Sequence, residues 1–328
     1  MTTSMSDAPQ DWNAIVSALR AADEIAIACH VNPDGDALGS LLAASLGLRQ
    51  LGKVTYPSWG HEPAEVPMAY EFLPGSDTII QPGELPTSAT TFLALDCGAV
   101  DRLGTLTAHA QKAPQLINVD HHPGNEDFGS LNLVITTASS TAEIVTRLLQ
   151  DLGVKIDKEI ATCLYTGLVT DTGRFQYANS SPDTLRLAAD LLSFGVPAPE
   201  IAQEVFESAP FGYLKLVGRV LDRAKLHEKE RFVYSWITLG DLEETQVAMD
   251  ETEKLIDLVR STRAATVAAM FKEQADGTYR VSMRSKGPVS VGEIARARGG
   301  GGHELAAGFT AANIEGVVEE IRHELGGS

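Results

Sequence analysis

The chain has 328 residues, 44% of them apolar, and a formal charge of −18. That length suits two cores better than one, and the composition fits a folded soluble protein rather than a disordered one. The acidic balance excludes broad binding of long duplex nucleic acid, which needs many Lys and Arg side chains on phosphates. A short anionic substrate stays compatible with it, because bound metal ions can supply local positive charge.

In chain order, Asp11 to Ala22 has helical periodicity and Glu24 to Cys29 reads as a short apolar strand. His30-Val31-Asn32-Pro33-Asp34-Gly35-Asp36 follows, then a small-residue helix from about Ala37 to Leu51. Strand, polar loop and helix make the βα unit of a parallel sheet, whose ligands sit beyond the carboxyl ends of the strands. Further strands are expected over Lys53 to Pro57, Thr91 to Leu95, Gln115 to Val119 and Leu131 to Ile135. Ser140 and Glu143 form a capping-box pattern opening a helix to about Leu152. Helices are expected over Lys158 to Thr170, Ser181 to Phe194, Ala198 to Glu207 and Phe211 to Leu226. The texture then changes. Arg231 to Ile237, Ala264 to Phe271 and Tyr279 to Arg284 read as strands, and Val289 to Ala297 and Asn313 to Leu325 as helices. The acid run Asp241, Glu243 and Glu244 reads as a solvated face. The expected fold is α/β: a mainly parallel five-stranded sheet flanked by helices over residues 1–197, a helical connector over 198–225, and a smaller α+β domain over 226–328. The active site is expected in the cleft between the two domains.

Cys29, Cys97 and Cys163 are odd in number and widely spaced, matching neither a disulfide framework nor a zinc pattern. A cytoplasmic location is therefore expected. Met1 to Trp12 is polar, and no run approaches the ~18 apolar residues of a span, so neither export nor membrane insertion is expected.

Acids and imidazoles collect where the early strands stop. His30, Asp34 and Asp36 follow the first, Asp96 follows the third, and Asp120-His121-His122 closes the fourth. Asp171 follows a helix. In a parallel sheet these ends lie along one edge. Carboxylates packed so closely repel one another and need cations, and two divalent metals are the economical solution. Imidazole with carboxylate, and no thiolate, suits Mn²⁺, with Fe²⁺, Co²⁺ or Zn²⁺ as alternatives. Downstream, Gly299 to Gly302 allow positive φ and close approach of backbone N–H groups to an anion. Arg280, Arg284, Lys286, Arg296 and Arg298 surround them with a basic excess. No Walker lysine pattern occurs.

The segments CHVNPDGDALGS (29–40), LDCG (95–98), VDHH (119–122), TDTGRF (170–175) and GGGHELAAG (300–308) resemble the motif series of the DHH phosphoesterase family. The last resembles the GGGH loop of the branch with a DHH-associated domain. Size and spacing are most similar to the nanoRNase/pAp phosphatases. The resemblance implies His30, Asp34 and Asp96 on one Mn²⁺, and Asp36, Asp96, His121 and Asp171 on the other, with Asp96 bridging. Mg²⁺, Co²⁺ or Fe²⁺ are implied substitutes. It further implies Asp96, Asp120 and His122 as catalytic, Asp120 orienting a histidine and His122 facing the phosphate. His122, Arg284, Gly300, Gly301, Gly302 and His303 are the implied substrate contacts. The implied reaction is two-metal activated hydroxide attack that cuts short single-stranded RNA to 5′-mononucleotides and 3′-phosphoadenosine 5′-phosphate (pAp) to AMP. Alternatives are hydrolysis of a cyclic dinucleotide or pApA, a longer single-strand exonuclease, and a silent nucleotide sensor. No membrane partner is expected, and a homodimer is compatible.

Overall fold

The computed structural model describes residues 11–326, so the polar N-terminal stretch lies outside the described residues up to position 10. The chain divides into two compact units after Ser208.

The first unit holds α1 (Trp12–Ala21), β1 (Glu24–Cys29), α2 (Gly35–Gln50), β2 (Val54–Trp59), β3 (Thr91–Leu95) and α3 (Thr107–Lys112). It continues with β4 (Gln115–Asp120), β5 (Leu131–Val134), α4 (Thr141–Leu152), α5 (Lys158–Asp171), α6 (Pro182–Leu192) and α7 (Ala198–Phe206). The strands form one sheet in the order β2-β1-β3-β4-β5, with every pair parallel. Alternation along the strands feeds two cores, which is why these runs are apolar throughout rather than every second residue. Ile25, Ile27, Leu93, Leu95, Ile117 and Val119 pack with α1, α2, α4 and α5. Ala26, Ala28, Phe92, Ala94 and Leu116 face the opposite way, onto Leu103, Leu106 and Ala110. The sequence reading did not foresee α3, a short helix whose one buried side chain, Ala110, gives a weak periodic signal.

The central strands β1, β3 and β4 are neighbours, so their carboxyl ends lie side by side. Behind that edge α2 and α5 pack very closely. A Cβ on Gly167 of α5 would lie 2.7 Å from both Asp36 Oδ1 and the Ala142 Cβ. Only glycine permits this approach.

The second unit holds α8 (Phe211–Arg223), β6 (Lys225–His227), β7 (Phe232–Ile237), α9 (Leu239–Thr245), α10 (Leu255–Arg260) and β8 (Val267–Glu273). It ends with β9 (Tyr279–Ser285), α11 (Val291–Arg296), β10 (Gly301–Gly302), β11 (Ala306–Ala311) and α12 (Ile314–Gly326). Its sheet runs β10-β11-β9-β8-β7-β6; β7 and β8 are parallel and the other pairs antiparallel. One face packs Phe232, Phe271, Val281 and Met283 with Ile294 and Ile321. The other packs Val233, Ile237 and Met270 with Leu216, Val220 and Ile256.

Three expectations change. Residues 198–225, read as a separate connector, are divided: α7 belongs to the first unit and α8 to the second. Gly301 and Gly302 are not simply loop, because they pair with Gly308 and Ala307 of β11 as a short hairpin strand. Asp241 is buried, unlike the solvated acid expected. It caps α9 with Thr238 and takes hydrogen bonds from Arg219 and Arg223 of α8.

Among the described residues no helix is long and apolar enough to cross a membrane. The three cysteines are buried and unpaired.

Candidate metal centre

Each acid and imidazole of the cluster is set by the element it ends or begins. Asp34 caps α2, its Oδ1 accepting from the N–H groups of Asp36 and Ala37 at 3.0 and 3.1 Å. Such caps fix the helix start. Asp36, in the first turn, is buried and aimed at the start of α4. Its Oδ2 accepts from the Thr141 N–H at 2.6 Å and its Oδ1 from the Ala142 N–H at 2.9 Å. A carboxylate at a helix N-terminus is the favourable arrangement for both charges. Asp96 follows β3 with a φ of 57°, a left-handed conformation that costs a non-glycine residue about 1 kcal/mol or more. The strain turns its carboxyl between two rings.

His30 Nε2 lies 3.6 Å from Asp96 Oδ2 and 4.0 Å from Asp34 Oδ1. His121 Nε2 lies 3.7 Å from Asp96 Oδ1, 3.9 Å from Asp36 Oδ2 and 3.6 Å from Asp171 Oδ2. The two oxygens of Asp96 therefore face different imidazoles. Three groups of ligand atoms result: His30, Asp34 and Asp96; Asp36, His121 and Asp171; and Asp96, His121 and His122.

The donor set fits divalent cations. His30 Nδ1 lies 2.8 Å from the Val31 carbonyl and His121 Nδ1 3.4 Å from the Ala138 carbonyl. A proton on each Nδ1 leaves a lone pair on each Nε2, the arrangement typical of metal-ligating histidines. His121 Nε2 is buried and has no hydrogen-bond partner. A buried orphan nitrogen facing three carboxylates is costly unless a cation joins them.

Charge tells the same story. Burial and the negative charge of Asp96 push the Asp36 carboxyl well above its usual range. Burial, with Asp96 and Asp34 nearby, pushes Asp171 up to about 6 despite His121. Asp96 goes the other way, down to about 2: burial opposes ionisation, but the hydrogen bond and charge of His30 and the charges of His122 and His121 outweigh it. The metal-free cluster thus holds protons that a cation displaces.

Asp120 serves His122 rather than His121. His122 Nδ1 donates to Asp120 Oδ1 at 2.7 Å. Asn125 Nδ2 donates to Asp120 Oδ2 at 2.6 Å. The Asp120 hydrogen bond pushes His122 up to about 9 against the opposing effect of burial. Burial raises the Asp120 carboxyl, but His122 and Asn125 bring it net below its ordinary value. His122 is half-exposed, leaving the ring open to a substrate.

The first unit therefore brings together His30, Asp34, Asp36, Asp96, Asp120, His121, His122 and Asp171. The second brings together the other expected residues. Arg284 of β9 is in register with Ala306 of β11, and the His303 N–H donates to the Ala306 carbonyl at 2.8 Å across the hairpin turn. Gly302 has a φ of 133°, open to glycine alone. Sequence reasoning missed Thr141, whose hydroxyl donates to Asp96 Oδ1 at 2.9 Å. It also missed Asn125, and Asn179, whose side-chain amide donates to Asp171 Oδ2 at 3.3 Å. Thr141 directly follows the Ser140 cap, and Asn125 sits in the turn after His122; position beside a motif was the available signal.

Comparison with known proteins gives concordant matches. Residues 24–168 match the DHH family, N-terminal domain, and residues 229–327 match the DHHA1 domain. The chain is 35% identical to the bifunctional oligoribonuclease and PAP phosphatase NrnA of Thermus thermophilus, over 97% of this chain and 96% of that one. It is 30% identical to the protein of the same name from Bacillus subtilis, over 87% and 88% of the two chains. The crystal structure of an exopolyphosphatase-related protein from Bacteroides fragilis superposes with a TM-score of 0.91 at 26% identity, over 99% of each chain.

Proposed function

The chain belongs to the DHH family of phosphoesterases, and from that premise we propose that it hydrolyses short oligoribonucleotides to 5′-mononucleotides and pAp to AMP. One chemistry covers both, because each reaction breaks a bond between phosphorus and a 3′-oxygen. The observation that carries the reading is Asp96 held between His30 and His121, with the orphan nitrogen of His121 facing three carboxylates. We propose Mn²⁺ as the native metal at both positions, with Mg²⁺, Co²⁺ or Fe²⁺ able to replace it.

Two divalent cations bound there would lower the pKa of an attacking water and offset charge on the phosphoryl oxygens. The chain's own residues do the rest. Asp36 and Asp96 are fixed by Thr141, so the ligand oxygens need little rearrangement to hold cations. Asp120 accepts a hydrogen bond from the His122 Nδ1–H and orients that ring, leaving its Nε2–H to donate to a phosphoryl oxygen. Arg284, His303 and Gly300 to Gly302 hold the nucleotide phosphate, the guanidinium in a fork and the glycines through backbone N–H groups. The enzyme acts in the cytoplasm in this reading, and a homodimer is compatible with it.

A substrate panel tests this. The Mn²⁺-loaded protein is incubated with pAp, two- to five-nucleotide RNAs, a long RNA and a cyclic dinucleotide. AMP from pAp and 5′-mononucleotides from the short RNAs are expected, with rates falling as the strand lengthens. Rates that rise with length would favour a processive exonuclease, and preference for the cyclic dinucleotide would favour that substrate class.

A further inference from the structure

Lys272 of β8 is fully buried, and the reaction proposed above makes no use of its charge. Its Nζ donates to Glu253 Oε1 at 2.8 Å. Arg280 Nη1 lies 3.6 Å from the same oxygen, beyond hydrogen-bond distance. A lysine held out of water needs a carboxylate beside it. Glu253 is thus neutralised by Lys272, and the Arg280 guanidinium, 60% exposed, is left as surplus positive charge in a chain of −18. Burial pulls the Lys272 ammonium below its ordinary range; Glu253 opposes this, and the charges of Arg280 and Arg284 add to it.

Strand register places both arginines on one face of the sheet. Lys272 pairs with Arg280, Met270 with Ser282 and Ala268 with Arg284. Directly paired residues of neighbouring strands point the same way. Over β7 and β8 that face is covered by Leu216 and Val220 of α8 and Ile256 of α10. On β11 it carries Thr310, Gly308 and Ala306, paired with Arg280, Ser282 and Arg284. None of these six residues is buried, and the three on β11 are small. The half of the face over β9 and β11 is therefore an open shelf, with one arginine at each end of β9 and Ser282 between them.

We propose that this shelf is a second phosphate subsite, in which Arg280 holds a phosphodiester of a single strand beyond the nucleotide held by Arg284. The inference rests on the assignment of Arg284 to the substrate made above. At ~3.4 Å per residue the two positions are about 13 Å apart along β9. Each guanidinium is kept at its own end, Arg280 by Glu253 and Arg284 by the Met283 carbonyl, to which its Nη1 donates at 3.0 Å. That separation exceeds the distance between the two phosphates of one nucleotide. Hence pAp reaches one arginine, and a strand of three or more nucleotides reaches both. The planar, permanently charged fork of arginine suits phosphate oxygens. Arg280 is thereby a determinant of strand length and takes no part in the chemistry.

The test compares the full chain with its Arg280→Gln and Thr310→Glu variants. Thr310 is exposed and paired with Arg280, so a glutamate there competes for the guanidinium without entering the core. Two readouts are taken: KM and kcat on pAp and on a five-nucleotide RNA with Mn²⁺, and anisotropy of a labelled five-nucleotide phosphorothioate RNA, which needs no turnover. Both variants should raise KM for the RNA about tenfold with kcat unchanged, and bind the phosphorothioate about tenfold more weakly. Both should keep KM and kcat for pAp within about twofold of the parent. For Arg280→Gln the slope of log affinity against log salt should fall by about 0.7, the share of one phosphate contact on a single strand. Equal losses on pAp and RNA, or RNA binding unchanged in both variants, overturn the subsite. A parent that binds the RNA through Arg280 but turns over neither substrate overturns the proposed reaction and leaves the subsite standing.

Discussion

The Thr141 hydroxyl donates to Asp96 Oδ1 at 2.9 Å, while the Thr141 N–H donates to Asp36 Oδ2 at 2.6 Å. One residue at the start of α4 thus holds two carboxylates that the proposed reading places on the same cation, Asp96 also bridging to the other. Thr141→Val keeps the shape and the N–H but removes the hydroxyl. Mn²⁺ affinity should fall about tenfold, the lower end for partners that orient metal ligands, while Thr141→Ser should retain it. Calorimetric titration of Mn²⁺ into the metal-free proteins makes the comparison; equal affinities for Val and Ser variants would remove Thr141 from the account.

In the proposed reaction Asp120 acts through His122, whose Nδ1 donates to it at 2.7 Å. In metal-free protein, Asp120→Asn should lower the His122 pKa from about 9 toward the ordinary ~6.5, because the ionised hydrogen-bond partner is lost. With its folded pKa raised, His122 is charged across neutral pH in the parent and loses that charge earlier in the variant. Turnover of pAp should therefore fall about 30-fold at pH 8, with a much smaller loss at pH 6. Mn²⁺ affinity should be retained. NMR titration of the imidazole gives the pKa directly, and an unchanged value would show that Asp120 plays no part in it.

Gly167→Ala puts a methyl group 2.7 Å from Asp36 Oδ1, with Ala142 equally close on its other side. Neither helix can yield without moving a ligand. Thermal unfolding should show a loss of about 1–3 kcal/mol, and one of the two Mn²⁺ ions should bind more weakly. A destabilised variant with both affinities intact would separate this packing from the site.

Asp241 is a stability element remote from the chemistry. Burial raises its carboxyl, but Arg223, the Thr238 N–H and hydroxyl, and Arg219 together hold it far below the usual range. With the folded pKa depressed, the stabilisation is complete above the unfolded value of about 4 and is lost as the pH falls below it. The guanidiniums are about a third exposed, so solvent screening limits the cost of Asp241→Asn to about 2 kcal/mol at pH 7. The gap in melting temperature between parent and variant should begin to narrow as the pH falls below about 4 and close only well below pH 3. A gap independent of pH would point to packing instead.

The strand ends could be read from the chain because β1, β3 and β4 are short apolar runs and the ligands follow them without a break. Their convergence on one edge then follows from a parallel sheet. The positions of Asp36 and Asp241 could not be read that way. Asp36 depends on N–H groups 105 and 106 residues away, and Asp241 on two arginines of another helix, so a local pattern of acids shows neither. β11 escaped because Ala306, Ala307 and Gly308 carry little strand propensity; the neighbour β9 makes the strand. The role of Asp120 was legible, but its partner was not, since His121 and His122 differ only in which way each ring turns after the strand ends.

The most direct test of the central claim is the Mn²⁺ stoichiometry of parent and Asp96→Asn proteins, measured by equilibrium dialysis alongside AMP release from pAp. The parent should bind two ions per chain and release AMP. The variant should bind at most one with useful affinity and release none. A parent that binds fewer than two ions while turning over pAp, or an Asp96→Asn protein that keeps both ions and full activity, would contradict the bridged two-cation site.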